Sequence, residues 1–187
     1  MITRDQAWDL LTSKMQSHNL RRHCLSVEAV MRALAKHFET DAQKWGIVGL
    51  LHDGDYEFTK DDSVNHAKLM ADWVRELSET DPELLEGIES HGWFHQGKLP
   101  QTQMQWALFC CDELTGLIVA CALVQPAKKL ADVTVESVLK KFPQKSFAAG
   151  AKREDILLCE EKLGIKLEDF VKIALTAMQS VASEIGL

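Results

Sequence analysis

The chain has 187 residues, of which 46% are hydrophobic and 26% are charged, and its formal net charge is −7. This composition is typical of a globular protein with one core, and it excludes a disordered chain. The negative charge disfavours nucleic acids and anionic membranes as partners.

The cysteines and the N-terminus indicate a cytoplasmic protein. Five cysteines lie in apolar helical patterns without a Cys-x-x-Cys pair, which favours free thiols in a reducing compartment. The N-terminus lacks the basic flank and apolar run of an export signal. The stretch from Trp106 to Val124 is long enough to cross a membrane, but Asp112 and Glu113 interrupt it. We therefore predict a buried helix of a soluble protein and no membrane partner.

Helical periodicity begins at the N-terminus. Thr3 and Gln6 form a capping-box pattern that predicts a helix to about Met15. A second helix is predicted from about Leu20 to Phe38, with its apolar residues on one stripe. Asp41 then caps a third helix, whose apolar residues are dense enough to bury most of it.

The rest of the chain continues as helices joined by polar segments. Residues 55–62 and the segment HGWFHQGKLPQT read as loops, and Ser63 is expected to cap the first of the two helices between them. The remaining helices are predicted over about 64–77, 81–91, 103–125, 134–141, 153–163 and 167–185. Because no segment alternates polar and apolar residues over a strand length, we predict an all-α fold.

Several polar residues do not fit the apolar periodicity. Five predicted helices each offer an imidazole or a carboxylate: His23, the pair His52 and Asp53, His66, His91 and Asp112. Four of these positions lie near a helix end and the fifth lies deep in an apolar run. Helices packed around one point can supply the ligands of a divalent metal in this way. Adjacent ligands diverge by about 100° on a regular helix, so we expect the backbone to bend at Gly54.

Simpler interpretations apply to some of these residues. A lone histidine is more often a surface or hydrogen-bonded core residue than a ligand, and we interpret His18 and His37 in this way. A mid-helix Asp112 among apolar residues is costly to bury without a partner charge, which favours a site. We keep His95 as a reserve ligand and Asp55 as a further carboxylate near the metals.

The ordered set of His23, His52-Asp53 and Asp112 resembles the signature of the HD superfamily of metal-dependent phosphohydrolases. The resemblance covers about residues 20–115, and later segments such as CDELTGLIVACALVQPAKKL are similar to a bacterial group described as predicted hydrolases. One departure concerns the subgroup with the motif His-Asp-x-Gly. In this chain the glycine comes directly after Asp53 and an aspartate follows it.

The resemblance implies a site and a fold. His66 and His91 fall where binuclear members carry two further histidines, which implies one or two divalent ions (Mn, Mg, Co, Ni, Fe or Zn). Asp53 would bridge the two ions. Asp112 would complete the ligand set of the first ion, and its free oxygen would orient the nucleophile. The fold would be a helical HD-domain bundle forming a single domain over residues 1–187. Its metal-binding core would cover about 20–115 and a C-terminal helical extension about 126–187.

The implied activity is hydrolysis of a small phosphorylated molecule, such as a nucleotide or another phosphate monoester or diester, by hydroxide formed at the metals. The same ligand set can also hold mixed-valent iron, so an HD-type di-iron oxygenase is an alternative. A non-catalytic metal-binding regulatory module is a third. The sequence predicts no oligomeric state.

A basic segment follows the predicted metal-binding core. Residues 126–153 contain seven Lys and Arg against two Asp and Glu, a local charge of +5 in a chain of −7. For the phosphate-binding residues we select Lys128, Lys145 and Arg153. A solvated basic face explains the same pattern equally well. Trp93 and Phe94 are candidates for the pocket wall, although packing is the favoured role for both.

Overall fold

The computed structural model describes all 187 residues and contains no β-strand, which confirms the all-α prediction. Two short 3-10 helices interrupt the series, at Ser90–Gln96 and Leu130–Asp132. The α-helices are α1 (Arg4–Lys14), α2 (His18–His37), α3 (Ala42–Leu51), α4 (Tyr56–Thr59), α5 (Lys68–Glu76), α6 (Pro82–Glu89), α7 (Gln103–Leu123), α8 (Val135–Lys141), α9 (Arg153–Leu163), α10 (Leu167–Ser180) and α11 (Ala182–Ile185).

The centre of the bundle is formed by α2, which packs against α3, α7 and α10. The buried apolar side chains form one continuous cluster that runs from Ile2 to Ile185. By length and composition α7 could cross a membrane, but 56% of its most apolar window is buried inside the protein. This degree of burial is that of a core helix, as predicted.

The capping residues fix several helix ends where the sequence predicts them. Thr3 and Gln6 exchange both bonds of the capping box at the start of α1. Asp41 accepts hydrogen bonds from two backbone amides at the start of α3. Gly164 ends α9 with a φ of 69°, a conformation that glycine adopts without steric cost.

Other predicted boundaries are wrong. The second helix starts earlier, at His18, because Ser17 caps it. The predicted loop over 55–62 contains α4, and the predicted loop over 91–102 begins as a 3-10 helix that ends at Gln96, after which residues 97–102 are non-helical. The last predicted helix is broken at Val181, which separates α10 from α11.

The largest deviation is at the start of α5. Ser63 does not cap a helix, residues 63–67 form turns, and Ala67 has a left-handed φ of 64°. The Asp55 carboxylate accepts a hydrogen bond from the backbone amide of Met70, at 3.0 Å. This contact between distant segments fixes where α5 begins, and local capping preference does not.

Candidate metal centre

The fold gathers all six predicted ligands into one cluster. α2 supplies His23, the end of α3 supplies His52, and α7 supplies Asp112. Asp53 lies in the turn after α3, His66 in the turn before α5, and His91 in the 3-10 helix after α6. The prediction that His66 and His91 belong to regular helices is wrong, because both lie just outside one.

Three of these side chains form a compact triangle that we call the first subsite: His23, His52 and Asp112. The distance between the two Nε2 atoms is 3.2 Å. Asp112 Oδ1 lies 2.9 Å from His23 Nε2 and 3.5 Å from His52 Nε2. Ligands of one ion with bonds of about 2.0–2.1 Å stand about 2.9–3.4 Å apart in octahedral or tetrahedral geometry. The donor set and its spacing therefore fit a divalent ion.

The opposite ring nitrogens determine which atoms face the centre of the triangle. His52 Nδ1 donates to the carbonyl oxygen of Gly49 at 2.8 Å, which leaves the Nε2 lone pair free. His23 Nδ1 lies 3.5 Å from the hydroxyl oxygen of Thr115, and this hydroxyl donates to the carbonyl of Asp112 at 2.8 Å. These outer contacts orient both imidazoles for metal binding.

The other three side chains form a second subsite: Asp53, His66 and His91. Asp53 Oδ1 lies 3.1 Å from His66 Nε2 and 3.6 Å from His91 Nε2. The donor atoms of His52, Asp53 and His91 also lie within 4.8 Å of one another. Asp53 therefore connects the two subsites, and His66 joins the group through it.

Asp55 supports the second subsite from behind. This fully buried carboxylate contacts His66 Nδ1 at 2.9 Å, and the same nitrogen lies 3.0 Å from Thr59 Oγ1. The other Asp55 oxygen accepts from Met70 N, so Asp55 holds the ring of His66 and does not face the cluster. Burial lowers the pKa of His66, but Asp53 and Asp55 outweigh it and raise that pKa to about 9.

The carboxylates of the cluster are held in their charged form. Burial would raise the pKa of Asp53, but contacts with His66 and His91 keep that pKa well below its ordinary value. Burial acts in the same direction on Asp112, where contacts with His23 and His52 lower the pKa well below its ordinary value. Two anionic side chains among imidazoles are suited to bind a cation.

Gly92 brings the segments of the second subsite together. A Cβ on Gly92 would lie 2.1 Å from the carbonyl oxygen of His66, a distance that real contacts do not allow. The 3-10 helix that carries His91 can therefore approach the His66 turn only because residue 92 has no side chain. In the sequence, Gly92 looks like an ordinary loop glycine, so this contact is not predictable there.

Gly54 has a different role from the predicted one. The backbone does turn over residues 52–55, and the amide of Gly54 donates to the Leu51 carbonyl at 3.0 Å. However, Gly54 is not in the left-handed region. A Cβ there would lie 2.7 Å from Met70 Sδ, so a side chain at this position would displace the end of Met70 on α5.

The three histidines outside the cluster are His95, His18 and His37, and they differ in position. His95 lies on the 3-10 helix, and its ring centroid is 6.2 Å from that of His66. It is exposed and lines the cavity next to His91. His18 and His37 are exposed at the two ends of α2 and contact none of the six cluster residues.

Two cavities adjoin the cluster through Asp112 and Glu113. One measures about 170 Å³ and contains Phe94 and Lys152, so Phe94 does line a pocket. The other measures about 400 Å³ and is bordered by the loop around Gly150. The sequence pattern does not single out Glu113 or Lys152 as a site residue. A larger groove of about 970 Å³ lies between α2 and α10. It is lined by none of the six cluster residues and by neither Glu113 nor Lys152.

The three predicted phosphate-binding residues lie outside these two cavities. The Arg153 guanidinium donates to four backbone carbonyls of the segment before α9, those of Phe142, Phe147, Ala148 and Ala151, so it is engaged in holding that loop. Lys145 is exposed on the same loop, and Lys128 is exposed in the turn after α7 with a φ of 53°. Their role in substrate binding stays a prediction.

The comparisons with known proteins agree with this arrangement. The sequence matches the family HD domain over residues 20–141, which is well over half of the chain and extends past the predicted core. Neither a curated protein nor a solved structure matches the chain significantly. HD domains bind divalent metals, and most members of the superfamily are hydrolases of the metal-dependent phosphohydrolase type. The chain therefore belongs to the HD-domain family, and its His and Asp cluster is compatible with the metal chemistry of that family.

Proposed function

We propose that this protein hydrolyses a small phosphorylated molecule with two divalent ions, one at each subsite. The observation that carries the proposal is the convergence of four imidazoles and two carboxylates at the edge of two cavities. A mixed set of imidazole nitrogens and carboxylate oxygens binds several first-row divalent metals, so the proposal does not depend on the identity of the ion. Bound divalent ions lower the pKa of water and neutralise charge on phosphoryl oxygens.

The protein side chains have separate roles in this proposal. His23 and His52 would hold the first ion, His66 and His91 would hold the second, and Asp53 would serve both. Asp112 Oδ1 faces the first subsite, whereas Oδ2 has its nearest His contact at 3.9 Å, to His91 Nδ1. That oxygen would be free to accept a hydrogen bond from a water molecule at the metals and so orient it. Asp112 stays ionised in this role because its pKa is low.

Lys152 is the cation best placed for the remaining phosphate charge. Its side chain lines the cavity that contains His91 and Asp112, and its Nζ lies 4.8 Å from the centre of the Phe94 ring. Its backbone amide donates to Glu113 Oε2 at 3.1 Å, which fixes the loop beside the metal centre. Arg153 acts indirectly, by ordering the loop that carries both Lys145 and Lys152.

The test combines metal analysis with an assay of phosphate release. Purified protein would be stripped of metal, reloaded separately with Mn, Mg, Co, Ni, Fe or Zn, and given a panel of phosphate monoesters and diesters. We expect metal-dependent phosphate release by the native chain. His23→Gln should lose metal and activity together, since it removes a first-subsite donor.

The matched control is His37→Gln, which changes an exposed histidine on the same helix. It should keep both metal content and activity. Failure of every ester with every ion would contradict the proposal. Tightly bound iron with a mixed-valent spectroscopic signal and oxygen consumption would replace it with oxygenase chemistry.

A further inference from the structure

Three cavities follow one face of α7, on both sides of the metal cluster. Phe109, Asp112, Gly116 and Leu123 lie on this face, because their spacing of three, four and seven residues matches whole helical turns. The cavity of about 400 Å³ borders Asp112 and Gly116, and a cavity of about 350 Å³ borders Gly116 and Leu123. Since these two cavities share His23 and Gly116 as walls, the second continues the first away from the metal ligands.

Gly116 differs from the other glycines within α-helices. A Cβ on Gly46, Gly49 or Gly87 would meet a neighbouring side chain at 2.6, 2.9 and 2.7 Å respectively, so close packing explains those three. Nothing lies within 4 Å of a Cβ on Gly116, although glycine weakens a helix relative to alanine. Packing within the protein gives no reason for Gly116, whereas a molecule lying across the helix would.

The cavity beyond Gly116 has both polar and apolar walls, and most of its exposed lining surface is apolar. Its polar walls are Asn19, Arg22, His23 and Ser26, and the hydroxyl of Ser26 is already used in a 2.8 Å hydrogen bond to the Arg22 carbonyl. Beside Val119, Leu123, Ile185 and Leu187, a sugar or a nucleobase would leave polar groups without partners, whereas a hydrocarbon would not. The volume of about 350 Å³ is at the low end for ligand pockets, which measure about 300–1,000 Å³. The apolar walls are Val119, Leu123, Ile185 and Leu187.

We infer that this cavity binds the organic part of the substrate, and that the substrate is a phosphate ester of a compact hydrophobic alcohol. The inference rests on the proposed phosphohydrolase function. The phosphate would lie at the metal cluster, and the apolar group would pass over Gly116 toward Leu123. Gly116 and Leu123 are then specificity-determining residues that contact no metal.

The experiment compares methyl, butyl and hexyl phosphate as substrates of the metal-loaded protein, with adenosine monophosphate and glucose 6-phosphate as polar competitors. We expect kcat/KM to increase about fourfold for each methylene that the cavity buries. Calorimetric titration with hexyl phosphate gives a second measurement that does not depend on turnover. Its affinity should exceed that of methyl phosphate by a similar factor.

Two neighbouring substitutions give a matched pair. Leu123→Gln should lower kcat/KM for hexyl phosphate and its binding affinity by about tenfold while leaving methyl phosphate unchanged. Val124→Gln changes an adjacent residue that is 60% exposed and does not line the cavity, so all substrates should be unaffected. Equal losses in both variants would overturn the inference.

Gly116→Ala separates binding from stability. It should raise the melting temperature by about 1–4 °C, because alanine favours the helix and meets no neighbour. The same variant should lower kcat/KM for hexyl phosphate more than for methyl phosphate. Hydrolysis of the polar esters with no dependence on chain length would refute the apolar site and leave the phosphohydrolase standing. No phosphate release from any ester, with no binding of hexyl phosphate, would refute both.

Discussion

The two subsites contain similar side chains but are built in different ways. In the first, His23 and Asp112 project from α2 and α7, and His52 ends α3, so the long helices of the core set their positions. In the second, Asp53 and His66 lie in turns and His91 lies in a short 3-10 helix.

This difference determines how each subsite can fail. The position of the first subsite depends on apolar packing among many residues. A single substitution in that packing therefore shifts the metal-binding side chains only slightly. The position of the second depends on a few specific contacts, chiefly the Asp55–His66 pair and the approach of Gly92 to the His66 carbonyl. We therefore expect substitutions in the supporting residues to empty the second subsite while the first keeps its ion.

Asp53→Asn should have the largest effect, because this carboxylate contacts His66 and His91 and lies within 4.8 Å of the donor atom of His52 in the first subsite. We expect kcat/KM for phosphate release to fall by about 10³-fold and bound metal to fall at both subsites. Elemental analysis and the phosphate assay would measure this. Asp61→Asn, at an exposed carboxylate nearby, serves as the control. A variant with two ions and native activity would show that Asp53 has no such role.

Gly92→Ala tests the close approach directly. A methyl group 2.1 Å from the His66 carbonyl must displace one of the two segments, so bound metal should fall from two ions to one. Overpacking of this kind lowers the free energy of unfolding by about 1–3 kcal/mol. Gly150→Ala, where nothing lies within 4 Å, should change neither quantity. Retention of two ions by the Gly92 variant would show that the second subsite does not depend on the close approach of Gly92 to the His66 carbonyl.

Asp55→Asn removes the charge behind His66 without changing its shape. Loss of an outer partner of a metal ligand typically costs about 10–100-fold in metal affinity, and we expect that loss at the second subsite alone. Competition titration with a chromophoric chelator would resolve the two affinities. An equal loss at both subsites would mean that Asp55 acts on the whole fold.

The pH dependence of metal binding should also distinguish the subsites. In the metal-free protein the pKa of His66 is raised to about 9, so this ring carries a proton at neutral pH that the metal must displace. Affinity at the second subsite should therefore rise about tenfold per pH unit up to about pH 9 and level off above it. Titrations across this range, repeated with Asp55→Asn, should show a flatter profile in the variant. A pH-independent affinity in the native protein would be inconsistent with a protonated His66.

Thr115→Val should have the smallest effect. The neutral hydroxyl of Thr115 lies 3.5 Å from His23 Nδ1, which is a long contact, and α2 holds the histidine independently. We expect about a fivefold loss of affinity at the first subsite, corresponding to about 1 kcal/mol for one hydrogen bond. A loss as large as that of Asp55→Asn would show that both subsites depend equally on outer partners.

The sequence by itself determines the fold class and the identity of the clustered residues. Apolar periodicity and caps such as Thr3 and Asp41 are local signals, and local signals define helices well. His52, Asp53 and Asp112 are visible because charged or imidazole groups interrupt apolar helices, where burial is costly without a partner. These features can be read from neighbouring positions in the chain.

Only the tertiary structure decides how those residues are supported. The pairing of Asp55 with His66, the approach of Gly92 to His66, and the engagement of Arg153 by four loop carbonyls join segments whose separation is fixed by helix packing. Gly116 likewise looks like any other helical glycine until the open groove above it is seen. Periodicity reports whether a side chain is buried, but the distance between two buried groups depends on the packing of the whole bundle.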